Sequence, residues 1–189
     1  MNLIDNRTRT PRPRHTPAVD VAGRTTVEYG VAQAELGCVL IARSVGGVCA
    51  ILIGANAEQL ESDLADRFPG RALNRNEAGL RIELAKVLGF IDNPGEGLDL
   101  PLALRGTTLQ RRVWQALRAI PAGTTITYAE LAVRVGAPTS TRAVANACAA
   151  NVIALAIPCH RVVRSNGTLA GYRWGIERKR VLIAKEAML

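Results

Sequence analysis

The stretch "ALAIPCHRVV" closes an apolar run on Pro158 and then sets Cys159 beside His160, with Arg161 next. A thiol becomes a strong nucleophile only as thiolate, and an ordinary cysteine titrates at about 8.5, so it needs a base or a positive group nearby. His160 can be that base, directly or through one water. The only other histidine, His15, lies far away near the N-terminus. An imidazole works best when a carboxylate fixes its tautomer and stabilises its charged form. Residues 101–189 offer three carboxylates, Glu130, Glu177 and Glu186. Glu130 belongs to a helix cap, and Glu177 opens the last helix, where an anion suits the helix dipole. Glu186 stands at the end of that helix, where an anion is disfavoured, which frees it for another duty. Cys159, His160 and Glu186 thus have the composition of a thiol triad. The competing reading is a buried cysteine with an incidental neighbour, since free cysteine is among the most buried residue types.

The elements that must position these groups read as mostly helical. "TLQRRVWQALRAI" keeps Leu109, Val113, Leu117 and Ile120 on one face and stops at Pro121. Thr127 and Glu130 form a capping box for a short helix that ends at Gly136. After the turn "GAPT", Ser140 opens a further helix, "STRAVANACAA". Two helices about a glycine-containing turn make a helix-turn-helix candidate. The second helix is nearly all alanine, too smooth to read base edges in a major groove but able to enter a narrow groove. Arg142 is its one long probe, of the kind needed to occupy a stack vacated by a flipped nucleotide. A tight helix contact made by small residues explains the same helix without DNA.

Upstream, residues 1–24 carry "RTRTPRPRHTP" and read as a disordered basic arm. "TVEYGVAQ", "GCVLIAR" and "VCAILIG" read as three short strands, with "SVGG" turning between the last two. Helices are predicted at about 56–68, opening at Asn56, and about 77–92, opening at Asn76. "LDLPLALRG" is an extended crossing segment without a clear pattern, and the domain boundary is placed near residue 100. Charge changes sign there. Residues 54–100 hold 5 basic and 9 acidic groups, whereas residues 101–189 hold 13 and 3. The whole 189-residue chain carries +8, so the basic excess is concentrated on the half that bears the thiol, a field suited to a polyanion such as nucleic acid. No run is long enough to span a membrane and no signal peptide is evident, so a cytoplasmic protein with reduced thiols is expected, although a Cys38–Cys49 disulfide stays open. The four cysteines show no zinc spacing.

Taken together, "IPCHRVV", the following "SNGTLAGYRWG" and the preceding "RAVANACAAN" closely resemble the O6-alkylguanine-DNA alkyltransferases. The similarity covers about residues 27–187 and is nearest to the methyltransferase half of bacterial Ada-type proteins. The resemblance implies an α+β fold: a small N-terminal antiparallel sheet with helices, ribonuclease-H-like, over residues 25–100, and a mostly helical, winged-helix-like domain over residues 101–189. It implies that Cys159 accepts the alkyl group from O6 of a guanine flipped out of duplex DNA through the minor groove. O4-methylthymine is a second candidate lesion. His160 becomes the water-linked base, Glu186 its orienter and Asn151 the support of the active-site turn. Tyr128 lies beside the flipped nucleotide, Arg142 fills the gap, and Tyr172, Arg173 and Trp174 close over the base. Ser165 is placed near a phosphate. The product would be a thioether, which offers no carbonyl for water to attack, so a monomer would act once.

Departures from the family pattern bound this reading. Cys38 and Cys49 lack the partners of the structural zinc that some relatives bind, so no metal and no cofactor is expected. The cysteine-rich regulatory module of full Ada-type proteins is not seen, and the nucleophile position holds Cys159 where lesion-sensing relatives carry tryptophan. Two other classes of function compete: a cysteine hydrolase using the same triad, which explains neither the alanine-rich helix nor the charge, and a non-catalytic DNA binder with a buried Cys159. Trp174 is read either as a wall that keeps bulky alkyl groups out or as a core anchor for the last helix.

Overall fold

The computed structural model describes residues 26–169 and 171–189; the arm read over residues 1–24 lies outside them. Three antiparallel strands, β1 (Val27–Ala34), β2 (Gly37–Ser44) and β3 (Gly47–Gly54), form a meander. The sheet is mixed rather than purely antiparallel, because a fourth strand, β4 (Leu73–Arg75), pairs in parallel with β1. The order is β3-β2-β1-β4. At three residues, β4 is too short to show the alternation that marks a strand in sequence. Side chains of β2 alternate between two layers: Cys38, Leu40 and Ala42 face one side, Val39 and Ile41 the other. Both layers are covered, which is why β2 and β3 are almost continuously apolar.

Helix α1 (Ala57–Arg67) starts where expected, with the Asn56 side chain accepting from the Gln59 amide, and buries Leu60 and Leu64 against Leu40 and Leu52. Helix α2 (Arg81–Asp92) starts four residues later than the sequence suggests. Asn76 does not cap it. Its side chain accepts from the Gly79 amide and donates to Glu28, while its backbone amide donates to the Tyr29 carbonyl, so Asn76 extends the β4 pairing into a turn. The segment after α2 also has more structure than its pattern showed. Val48 N donates to Pro101 O and Ala103 N donates to Val48 O, so residues 101–103 run along the free edge of β3. Gly47, at φ +120°, sits against the Pro101 carbonyl, where a Cβ would collide.

The second half holds α3 (Thr108–Arg118), β5 (Ile126–Thr127), α4 (Tyr128–Arg134), α5 (Thr141–Ala149), β6 (Val162–Val163) and α6 (Ile176–Glu186). Both bonds of the Thr127/Glu130 capping box form, and α3 has a second box from Thr107 and Gln110. Helices α4 and α5 flank Gly136, at φ +65°, as the helix-turn-helix reading requires. Ser140 stands at the α5 cap position without a side-chain hydrogen bond to it. Trp114 Nε1 donates to the Ala147 carbonyl at 2.9 Å and ties α3 to α5. One apolar core runs through both halves, joining Val39, Ile51 and Phe90 to Val113, Ile157 and Leu182. Cys38 and Cys49 are buried free thiols, not a disulfide. Among the described residues no helix is long and apolar enough to cross a membrane.

Candidate active site

The turn from Asn151 to Cys159 is held from two directions. From the sheet, Ile51 N donates to Val152 O and Ala154 N donates to Ile51 O, both at 3.0 Å, so β3 pins the start of the turn. From within, Asn151 Oδ1 accepts from Ile153 N at 2.9 Å, and Nδ2 donates to Ile157 O at 2.9 Å and to Cys159 Sγ at 3.3 Å. Leu155, buried at φ +66°, is the one non-glycine residue with positive φ among the described residues. Such a conformation persists only where its surroundings over-determine it. Asn151 is fully buried, and its hydrogen bonds account for the choice of an amide: a carboxylate could not donate to a carbonyl and a sulfur.

Cys159 opens a 3₁₀ turn through Arg161 and is 7% exposed. Burial pushes its thiol up; the Asn151 hydrogen bond and the Lys179 ammonium oppose that. A thiol at rest in such a site needs a base when substrate arrives. His160, fully buried, places Nε2 at 2.9 Å from Glu186 Oε1, and Nδ1 has no partner among the described residues. Glu186 is the final residue of α6 and 2% exposed. Burial works against its carboxylate, but hydrogen bonds from His160 and Arg161 outweigh it and hold its pKa at about 2. For His160, burial pulls the pKa down below its ordinary value, only partly opposed by Glu186, so the ring is neutral at pH 7.

Above the thiol lies a cavity of about 400 Å³, lined among others by Tyr128, Asn146, Cys148, Cys159, Tyr172 and Arg173. Burial raises the Tyr128 phenol to about 12, so it remains a proton donor in the neutral range. Cys148 is likewise driven up to about 12, first by burial and then by its proximity to Cys159, so it rests as a neutral thiol. Arg173 Nε donates to the Ala149 carbonyl at 3.0 Å, latching the 171–175 loop to the C-terminal end of α5, where a cation is favoured.

The residues singled out from sequence take different places. Cys159, Tyr128, Tyr172 and Arg173 line the cavity. Asn151, bonded to Cys159, and the buried His160–Glu186 pair belong to the same cluster without lining it. Arg142, near the start of α5, and Ser165, in the turn closed by Gly167 N to Arg164 O, are exposed and outside it. Trp174 does not line the cavity. It is 5% exposed, packs edge-to-face on Tyr172 at 5.0 Å between ring centroids, and its carbonyl accepts from Arg178 at the start of α6.

Sequence reasoning missed Arg161, Lys179, Cys148 and Asn146. Lys179 is fully buried, its Nζ donating to the Val162 carbonyl at 2.5 Å, and burial lowers its pKa. Lys179, Leu182 and Glu186 are spaced i, i+3, i+7 along α6 and form its buried stripe. That spacing is readable in the sequence; that charged residues occupy a buried stripe is not. Among the described residues, no group of three His, Cys, Asp or Glu side chains gathers that could hold a metal.

Known proteins resemble this arrangement. The family described as "6-O-methylguanine DNA methyltransferase, DNA binding domain" matches residues 108–188. The bifunctional transcriptional activator/DNA repair enzyme Ada of Escherichia coli is 47% identical over 161 residues, which cover 85% of this chain but 46% of Ada. The chain thus spans about half the length of that relative. A methylated-DNA–protein-cysteine methyltransferase of Candida albicans is 37% identical over 170 residues, covering 85% of this chain and 96% of that protein. In three dimensions, the Mycobacterium tuberculosis OGT solved in complex with DNA superposes with a TM-score of 0.72 at 32% identity, over 85% of this chain and 93% of that one. Similarity across nearly the full length of the last two, in sequence and in fold, means that the chain belongs to the methylated-DNA–protein-cysteine methyltransferase family.

Proposed function

We propose that this chain repairs DNA by moving a methyl group from O6 of a flipped guanine in duplex DNA onto its own Cys159, irreversibly and once per molecule. The observation that carries this reading is Cys159 lining a cavity of about 400 Å³, with His160, next to it in the chain, buried and paired with Glu186. His160 Nδ1 takes the thiol proton, by way of one water as the resemblance implies. The sulfur then forms its bond to the methyl carbon while the carbon–oxygen bond breaks and its electron pair goes to guanine. The proton that guanine needs comes from a donor in the pocket, for which the Tyr128 phenol is suited. A thioether remains, which no group nearby can hydrolyse.

In this reading the duplex meets the α4–α5 unit at its minor groove. The smooth face of α5 allows close approach, and Arg142 fills the stack that the base leaves. Tyr172 and Arg173 close over the base, Trp174 supports Tyr172 from behind, and Ser165 contacts a phosphate. The protein acts as a monomer in the cytoplasm without cofactor. Ribonuclease-H-like and winged-helix-like are the finer descriptions proposed for residues 25–100 and 101–189, preceded by an arm over residues 1–24.

The test is incubation with a duplex bearing methyl-labelled O6-methylguanine, followed by peptide mass spectrometry. One equivalent of label on Cys159, none on Cys148, and none on the Cys159→Ser protein are expected. Label on another residue, or release of methanol with turnover, would overturn the proposal.

A further inference from the structure

A group outside the three expected for a thiol triad also bears on what His160 can do. Arg161 is 7% exposed and spends every side-chain nitrogen inside the protein. Its Nε donates to Glu186 Oε2 at 2.9 Å and its Nη2 to Glu186 Oε1 at 2.8 Å, a two-pronged grip on the carboxylate. Its Nη1 donates to the Ile120 carbonyl at 2.5 Å, which anchors the guanidinium to the chain just beyond α3. Glu186 Oε1 is therefore shared between Arg161 and His160 Nε2, at 2.8 and 2.9 Å.

We infer that Arg161 is a positioning residue: its fork holds Glu186 as a carboxylate whose charge is already compensated, so that His160 stands as the neutral Nε2–H tautomer with the Nδ1 lone pair free. The inference rests on the proposed alkyl transfer only in assigning a use to that lone pair. A lone carboxylate against an imidazole favours the imidazolium, and an imidazolium carries a proton on both nitrogens and cannot act as a base. Glu186 alone would thus orient His160 and disarm it together. With the guanidinium on the same carboxylate the buried group of three is neutral: one cation, one anion and an uncharged ring. Burial of an imidazolium would then leave a net charge without solvent, which is costly.

The other groups that face His160 are consistent with this. From α6 come Glu186 and Lys179, the lysine adding a second positive influence against protonation. From the 3₁₀ turn come Cys159 and Arg161. From the 171–175 loop comes Tyr172, its ring edge-on at 6.4 Å between centroids and uncharged because burial raises its phenol well above the ordinary value. Glu186 alone favours the imidazolium, and Arg161 is the cation bonded to it.

Nitrogen-15 NMR of histidine-labelled protein tests the assignment without DNA, and only His15 and His160 contribute signals. The wild type is expected to show His160 as the Nε2–H tautomer between about pH 6 and 8. In Arg161→Met the His160 titration should move up by about one pH unit or more, and the acid limb of the transfer rate against pH should move with it. Arg161→Lys keeps the charge but grips one oxygen, and should titrate between the two. An imidazolium or an Nδ1–H tautomer in the wild type would overturn the inference. So would an unshifted titration in folded Arg161→Met, or a wild-type titration in Arg161→Lys, which decides the matter where the methionine variant does not fold. Because the nitrogen signals are read on free protein, they are independent of transfer: a chain that accepts no methyl yet shows these shifts would sink the proposed function alone.

Discussion

Replacing Glu186 by glutamine keeps the size of the side chain and removes its charge. The structure says how much should be lost and where in pH. In the folded protein the carboxyl titrates at about 2, against 4.5 for an unperturbed one. A displacement of that size contributes about 3 kcal/mol of stability at neutral pH. The folded value is depressed, so the contribution is complete above pH 4.5 and is lost as pH falls from there toward 2. Glutamine also leaves the buried Arg161 cation without a counter-charge, for which losses of about 3–5 kcal/mol are usual when one partner of a buried pair is removed. The two figures describe the same interaction and agree. For a chain of this length, about 3 kcal/mol corresponds to a fall in melting temperature of about 6–12 °C. Chemical denaturation of both proteins at pH 7, 5 and at steps below 4.5 would check this. The gap between wild type and Glu186→Gln should be widest at pH 7, unchanged at pH 5 and narrowing below 4.5. His160 sharpens the picture. Its folded pKa is lowered, so a separate loss of wild-type stability should begin as pH falls through about 6.5, where the unfolded ring gains its proton. Stability curves for the two proteins that stay parallel from pH 4.5 down toward 2 would refute the reasoning, because the carboxylate would then contribute nothing that depends on its charge.

Arg142→Ala should slow repair in duplex more than reaction with the free modified base; equal losses on both substrates would exclude a gap-filling role. Trp174→Gly removes a buried ring that props Tyr172, so a loss of about 3 kcal/mol is expected, together with faster reaction of free O6-benzylguanine relative to methylated DNA as Tyr172 relaxes. A folded variant with an unchanged substrate ratio would leave Trp174 a core anchor and nothing more.

The parts legible in sequence are those set by near neighbours. Strands β2 and β3 announce themselves because two covered faces demand apolar residues at every second position on both sides. The Thr127 and Asn56 caps announce themselves because their hydrogen bonds span three residues. The adjacency of Cys159 and His160, the suspicious carboxylate at the end of α6 and the smooth helix bearing Arg142 were all visible, and so was the family they resemble. What stayed hidden depends on meetings across the chain. Strand β4 exists because β1 offers it an edge, and Asn76 turns rather than caps because Glu28 and the Tyr29 carbonyl reach it from 48 and 47 positions away. Arg161 looked like one more basic residue in a basic half. Only packing α6 against the 3₁₀ turn brings Glu186, 25 positions on, within 2.9 Å of both its guanidinium and the neighbouring imidazole. Lys179 looks like a surface residue until the core closes over it, and sequence leaves Trp174 open between a pocket wall and a core anchor. Sequence determines which groups are available and the local turns that present them. Tertiary structure decides which are dehydrated together, and in a buried site dehydration sets the charge that each one carries.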